Sequence, residues 1–217
     1  MRIVFLFLLF NFLFLTYFLY ICTDNEKYND LMKGSIEGNY EIFLKKMVQL
    51  GIDAEMFNEK YGDKLKNGSF TNTNEYNMSY DGSLLDIVLR TLTPYAVKIN
   101  DLLPLEMRIP KDKLVKVCLL HHISKCVRLV KNDNQWEVEK RGILYKYNDS
   151  NTSIRTGLQS LMMAMECGVQ FSIDEVEAMT SIDRDLTDTQ SRFHSNTLST
   201  IIRQANELTY TEFKERK

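Results

Sequence analysis

From residue 35 onward, apolar residues recur every three or four positions, the spacing of helices that bury one face. Ser35 is placed to cap a helix carrying Ile36, Tyr40, Phe43, Leu44, Met47 and Val48 on one side, with Gly51 as its stop. Residues 61–81 are rich in Asn, Thr, Ser and Gly and predict a loop. Ser83 opens a second helix, with Leu84, Leu85, Val88, Leu89 and Leu92 apolar, expected to break near Pro94. Pro110 and Asp112 are start signals for a helix reaching residue 129. Residues 128–130 and 136–147 flank Asn132-Asp133-Asn134, which reads as the tip of a β-hairpin. In that hairpin Trp136, Tyr145 and Tyr147 alternate and are expected to cover the core. A helix over residues 154–167 ends at Gly168, and Ser172-Ile173-Asp174-Glu175 has the spacing of a capping box. A last helix carries Leu198, Ile201, Ile202, Ala205 and Leu208.

The first part of the chain has a different pattern. Residues 3–22 contain no charge and are interrupted only by Asn11 and Thr16. A helix of that length reaches roughly 30 Å, the thickness of bilayer hydrocarbon. The segment lacks a small-x-small cleavage site, and Ile21 before Cys22 is not the small residue of a lipidation signal. It reads as a membrane anchor or a signal. The competing reading is a start at Met32, because residues 1–31 are dominated by Phe, Leu, Tyr, Asn and Ile. The expected division is therefore a hydrophobic segment over 1–31 and a helical domain over 32–217. Membrane association follows if residues 3–22 are authentic, and a cytoplasmic location otherwise. Arg2 before the segment and Lys27 and Lys33 after it leave its orientation unspecified.

Composition narrows the classes. The 217 residues are 44% hydrophobic and 26% charged, with three Pro, which suits one mostly helical domain. A net charge of −2 gives no footprint for nucleic acid. Cys22, Cys118, Cys126 and Cys167 are too few and too scattered for a disulfide framework. No nucleophile elbow, phosphate loop or dinucleotide fingerprint is present.

Chemistry concentrates on the central helix. Cys118, His121, His122, Lys125 and Cys126 fall at positions that share a helix face. His122 with either cysteine gives an i,i+4 pair that could supply two zinc ligands, but no second cluster offers the others. The alternative is that these are packing residues. His194 stands in a polar stretch. Asp183, Asp185 and Asp188 form an acidic group that reads either as a solvated loop or as oxygen ligands for a cation.

The run Leu119-Leu120-His121-His122-Ile123-Ser124-Lys125 resembles the Leu-Leu-His-Asp-x-x-Lys core of HD-domain metal phosphohydrolases, with His122 in place of the aspartate. The resemblance extends over residues 76–212 and is strongest to small forms from phages and prophages. Gly82-Ser83-Leu84-Leu85-Asp86-Ile87-Val88 resembles the family's Gly-Gly-Leu-Leu-Glu-His-Ser. Tyr145-Lys146-Tyr147-Asn148-Asp149 resembles its Tyr-Lys-Tyr-x-Asp hairpin end, and Arg155-Thr156-Gly157-Leu158-Gln159-Ser160 its Gly-His-Gly-Glu-Lys-Ser helix start. Residues 174–182 are similar to the family's next helix, and Ala205-Asn206-Glu207-Leu208-Thr209 to its final Ala-Asp-Leu-x-Ala. The implied fold is mainly α: an HD-domain-like helical bundle with a small β-hairpin, preceded by an N-terminal hydrophobic helix.

The same resemblance places the family's metal ligands on Ile87, His121, His122, Thr156, Ile182 and Asn206, and only His121 keeps the family's residue type. Isoleucine binds no metal, and asparagine lacks the charge to offset one. Without the metal no water is activated. Two readings follow. One is a catalytically inactive binding or scaffolding module that needs no cofactor. Its partner is an unidentified protein, a membrane through residues 3–22, or a nucleotide or peptide held in the cleft near His121, Thr156 and Asn206. The other is a divergent phosphohydrolase with a site rebuilt from His121, His122 and an acid such as Asp86 or Asp183.

Overall fold

The computed structural model describes residues 34–73, 77–150, 153–181 and 195–215. The expected anchor over residues 3–22, with Cys22, lies outside the described residues, as do Ile182, Asp183, Asp185, Asp188 and His194. Among the described residues no helix is long and apolar enough to cross a membrane.

The domain is mainly helical, with one two-stranded antiparallel sheet. Helix α1 (Ile36–Gln49) starts where Ser35 Oγ accepts from the Gly38 N–H, and it buries Phe43 and Met47. Helix α2 (Ala54–Asn67) occupies part of the stretch expected to be a loop. Asp53 caps it, accepting from the Glu55 and Met56 N–H groups. Phe57 and Leu65 carry its buried face. Gly62 lies close to the Tyr40–Asn58 hydrogen bond: a Cβ there would lie 2.9 Å from Tyr40 Oη and 2.7 Å from Asn58 Oδ1, so both side-chain tips would have to move.

Helix α3 (Ser83–Ile87) does not break at Pro94. It widens into a π-turn over Val88–Leu92, where the Thr93 N–H reaches the Val88 carbonyl, and continues as α4 (Thr93–Leu102). The wide turn absorbs the N–H that proline lacks. Helix α5 (Lys111–Leu120) stops short of residue 129: a turn at residues 121–124 separates it from the short α6 (Lys125–Arg128).

Strands β1 (Leu129–Lys131) and β2 (Tyr145–Tyr147) pair with Leu129 opposite Tyr147. The tight hairpin tip expected at residues 132–134 is absent. Asn134 instead caps a helix, α7 (Gln135–Arg141), which Gly142 closes at φ +62°. Trp136 therefore sits on α7 and is 61% exposed, and Tyr147 is 60% exposed; only Tyr145 packs inward.

Helices α8 (Thr156–Glu166), α9 (Ile173–Ser181) and α10 (Thr197–Glu215) complete the bundle. The Glu175 carboxylate accepts from the Ser172 N–H at 2.7 Å, the bond expected of the capping box. Glu175 also meets Lys116 at 2.6 Å, tying α9 to α5. Burial pushes the Glu175 carboxyl up, but the bonds from Lys116 and Ser172 outweigh it and hold the group below its usual range. Helix α10 packs on α9, on α4 and on the π-turn, so its inward face reaches the end of α5.

Candidate functional site

The turn after α5 fixes the two histidines. Four i→i+3 bonds, from Ile123 to Leu120, Lys125 to His122, Cys126 to Ile123 and Val127 to Ser124, tighten the backbone. His121 and His122 are 0% and 2% exposed, and their ring centroids lie 3.9 Å apart. His121 Nδ1 is 3.0 Å from the carbonyl oxygens of both Val117 and Cys118. Carbonyls only accept, so this nitrogen carries the proton. His122 Nε2 is 3.0 Å from Asn206 Oδ1 on α10 and donates to it. The opposite nitrogens, His121 Nε2 and His122 Nδ1, are buried lone pairs without a partner among the described residues.

Burial dominates the ionisation of both rings. It lowers His121 to about 4, although the Cys118 and Val117 carbonyls oppose the shift. It pushes His122 well below the usual imidazole range, assisted by His121 and Lys125. Both are neutral at pH 7.

Phe70, from the loop after α2, packs against His122. Its ring meets His122 edge to face at 4.9 Å and is 1% exposed. Lys125 Nζ lies 3.6 Å from the centroid of the same ring, and the Tyr210 ring stands 5.8 Å away. Phe70 thus both packs on His122 and forms a wall of a cleft of about 170 Å³. Lys125, Arg128, Tyr147, Thr156 and Tyr210 also line it. Arg128 Nη1 is braced by the Ile154 carbonyl at 2.7 Å and Gln159 Oε1 at 2.8 Å. The Ser124 hydroxyl donates to the Thr156 carbonyl at 2.8 Å, locking the start of α8 against the histidine turn.

The positions singled out in the sequence separate into those brought together and those kept apart. His121 and His122 are buried side by side, Asn206 on α10 reaches His122 from a partly buried position, and the Thr156 carbonyl is tied to the same turn through Ser124. Ile87 is buried and aliphatic. Asp86 is a strut: its carboxylate accepts from Asn39 Nδ2 at 2.7 Å and Tyr80 Oη at 2.6 Å, with Arg90 Nε at 3.1 Å. Cys118 and Cys126 are buried thiols whose pKa burial raises to about 12. Among the described residues no group of three His, Cys, Asp or Glu side chains could hold a metal ion. The donor set at the family positions does not fit a divalent metal either. Among the described residues it consists of two neutral imidazoles, an amide, a threonine and an isoleucine, with no carboxylate to offset a divalent charge.

Phe70, Arg128 and Tyr210 were not singled out as site residues from the sequence. Lys125 and Arg128 stand three apart, the spacing of neighbours on a helix, and that is a readable signal. Phe70 and Tyr210 come from opposite ends of the domain and carry no local signal. Comparison with family models, with curated proteins and with solved structures finds no match for this chain.

Proposed function

We propose that this protein is a non-catalytic binding module, an HD-domain-like helical scaffold without the metal centre of such enzymes. What carries the reading is the His122–Asn206 bond. It engages both side chains at positions where the resembled enzymes place metal ligands, and the Phe70 ring packs edge to face on His122. What remains accessible is the cleft itself, with an ammonium, a guanidinium and phenol rings on its walls. Such a lining favours an anionic group, with aromatic surface at the rim for a flat ring. The ligand assigned to it is a nucleotide, its phosphate placed between Lys125 and Arg128. About 170 Å³ accommodates the phosphate and part of the sugar, leaving the base at the rim near Tyr147. Residues 3–22 hold the module at a membrane in this reading.

The test uses the full chain purified without chelator or histidine tag. Elemental mass spectrometry measures bound metal, a nucleotide panel measures hydrolysis, and calorimetry measures nucleoside monophosphate binding. The expected result is no stoichiometric transition metal, no turnover, and saturable binding that Lys125→Glu weakens at least tenfold. Stoichiometric metal together with turnover that requires His121 and His122 overturns the proposal. So does an absence of nucleotide binding by the folded wild type.

A further inference from the structure

Helix α8 is apolar on two faces. Gly157, Ser160, Leu161, Met163 and Ala164 face the core. Leu158, Met162 and Met165 are 42%, 44% and 58% exposed. No charged residue occurs from Thr156 to Met165. A helix apolar on two faces is expected to bury both, and this one leaves its second face bare. At about 100° per residue, Leu158, Met162 and Met165 fall within roughly 60° of arc, a continuous stripe along the helix.

The charges at its ends define what fits the stripe. Arg155 precedes the first turn and Glu166 closes the last, both exposed. A cation at a helix N-terminus and an anion at its C-terminus oppose the helix's own dipole. On the helical wheel the two lie on the same flank of the stripe, roughly 20° apart. Two antiparallel copies of α8 bring same-flank residues together. With Met162 on the twofold axis, Leu158 lies beside Met165 of the other copy, and Arg155 lies about 4.5 Å along the helix from the level of Glu166 of the other copy, within reach of its side chain. The Tyr61 hydroxyl donates to Glu166 Oε2 at 2.9 Å and steadies that carboxylate at the helix end.

We infer that the exposed face of α8 is an isologous interface with a second copy of this chain, centred on Met162. Methionine suits such a contact because its unbranched side chain adapts to its counterpart. The inference is independent of what the cleft binds.

The experiment co-expresses two differently tagged full-length copies and measures co-purification, then sedimentation equilibrium in density-matched detergent. The wild type is expected to be a dimer. Met162→Asp should weaken association at least tenfold, with helical circular dichroism unchanged because the side chain is exposed. Arg155→Glu and Glu166→Arg should each weaken it about tenfold, and the two together should restore it. A monomeric wild type overturns the inference. So does a dimer that tolerates Met162→Asp, the pattern expected if residues 3–22 alone associate. A double reversal that regains nothing also overturns it.

Discussion

His122 Nε2 lies 3.0 Å from Asn206 Oδ1, a bond between side chains 84 residues apart that joins the turn after α5 to the middle of α10. Both residues stand at positions where the resembled family places metal ligands. Here each is the other's partner. The bond works only with an acceptor at position 206, because the neutral ring donates from Nε2. Asn206→Ala leaves that donor buried and unpaired and is expected to lower stability by about 2 kcal/mol. Chemical denaturation of the wild type and variant measures the difference. A variant as stable as the wild type means the bond is not formed in solution.

Acid should act through the histidine pair. Burial holds the folded His121 at about 4, against 6.5 for an ordinary imidazole. Between those values the unfolded chain takes up a proton that the folded chain refuses, so stability falls as pH drops through the window and levels off below it. For His121 alone the full loss is about 3 kcal/mol. His122 shifts in the same direction and steepens the fall. Urea midpoints at pH 7.5 and 5.0 give the slope, and His121→Gln should reduce it by about half. A flat profile in the wild type would show that the histidines are solvated.

Phe70 makes a second claim testable, that its ring shields His122 from solvent. Phe70→Ala removes the edge-to-face contact with His122 and the ring beneath Lys125, at a cost of about 4 kcal/mol. Phe70→Leu keeps most of the volume and should cost about 1 kcal/mol. Diethyl pyrocarbonate labelling, read by mass spectrometry of the peptide containing residues 121 and 122, should be slow in the wild type. It should be faster in Phe70→Leu and fastest in Phe70→Ala where that variant folds. Equal labelling of wild type and Phe70→Leu would mean solvent reaches the pair by another route.

The sequence was legible wherever one residue sets a local boundary. Ser35, the Gly168 turn and the Ser172–Glu175 bond stand where their chemistry places them, because caps act within three or four residues. It misled where a local signal was overridden. Gly62 and the polar residues around it suggested a loop, but Asp53 caps a helix through them and Tyr40 uses the space the glycine leaves. Pro94 suggested a break, and a π-turn absorbed it. Asn134 suggested a hairpin tip, whereas an Asn before a Glu at the third position is equally a helix cap, and the chain uses it that way. Of the site, His121, His122, Thr156 and Asn206 were legible as positions. Their enclosure was not, since Phe70 and Tyr210 reach the site only through the packing of the loop after α2 and of α10.

Asp86 provides the last test, because a rebuilt metal site would need its carboxylate. The group is 6% exposed and committed to Asn39, Tyr80 and Arg90, which join α1, the loop before α3 and α3 itself to the π-turn. Asp86→Ala strands the Asn39 amide and the Arg90 guanidinium and is expected to cost about 3 kcal/mol. Asp86→Asn keeps the volume and some of the bonds, so it should cost about 1 kcal/mol. Because Asn39 and Asp86 share one bond, the double variant Asn39→Ala, Asp86→Ala should lose less than the two single losses added together. Neither Asp86 variant should alter metal content. If Asp86→Asn instead reduced metal uptake while leaving the denaturation midpoint unchanged, the carboxylate would be a ligand rather than a strut, and the non-catalytic reading would fall with it.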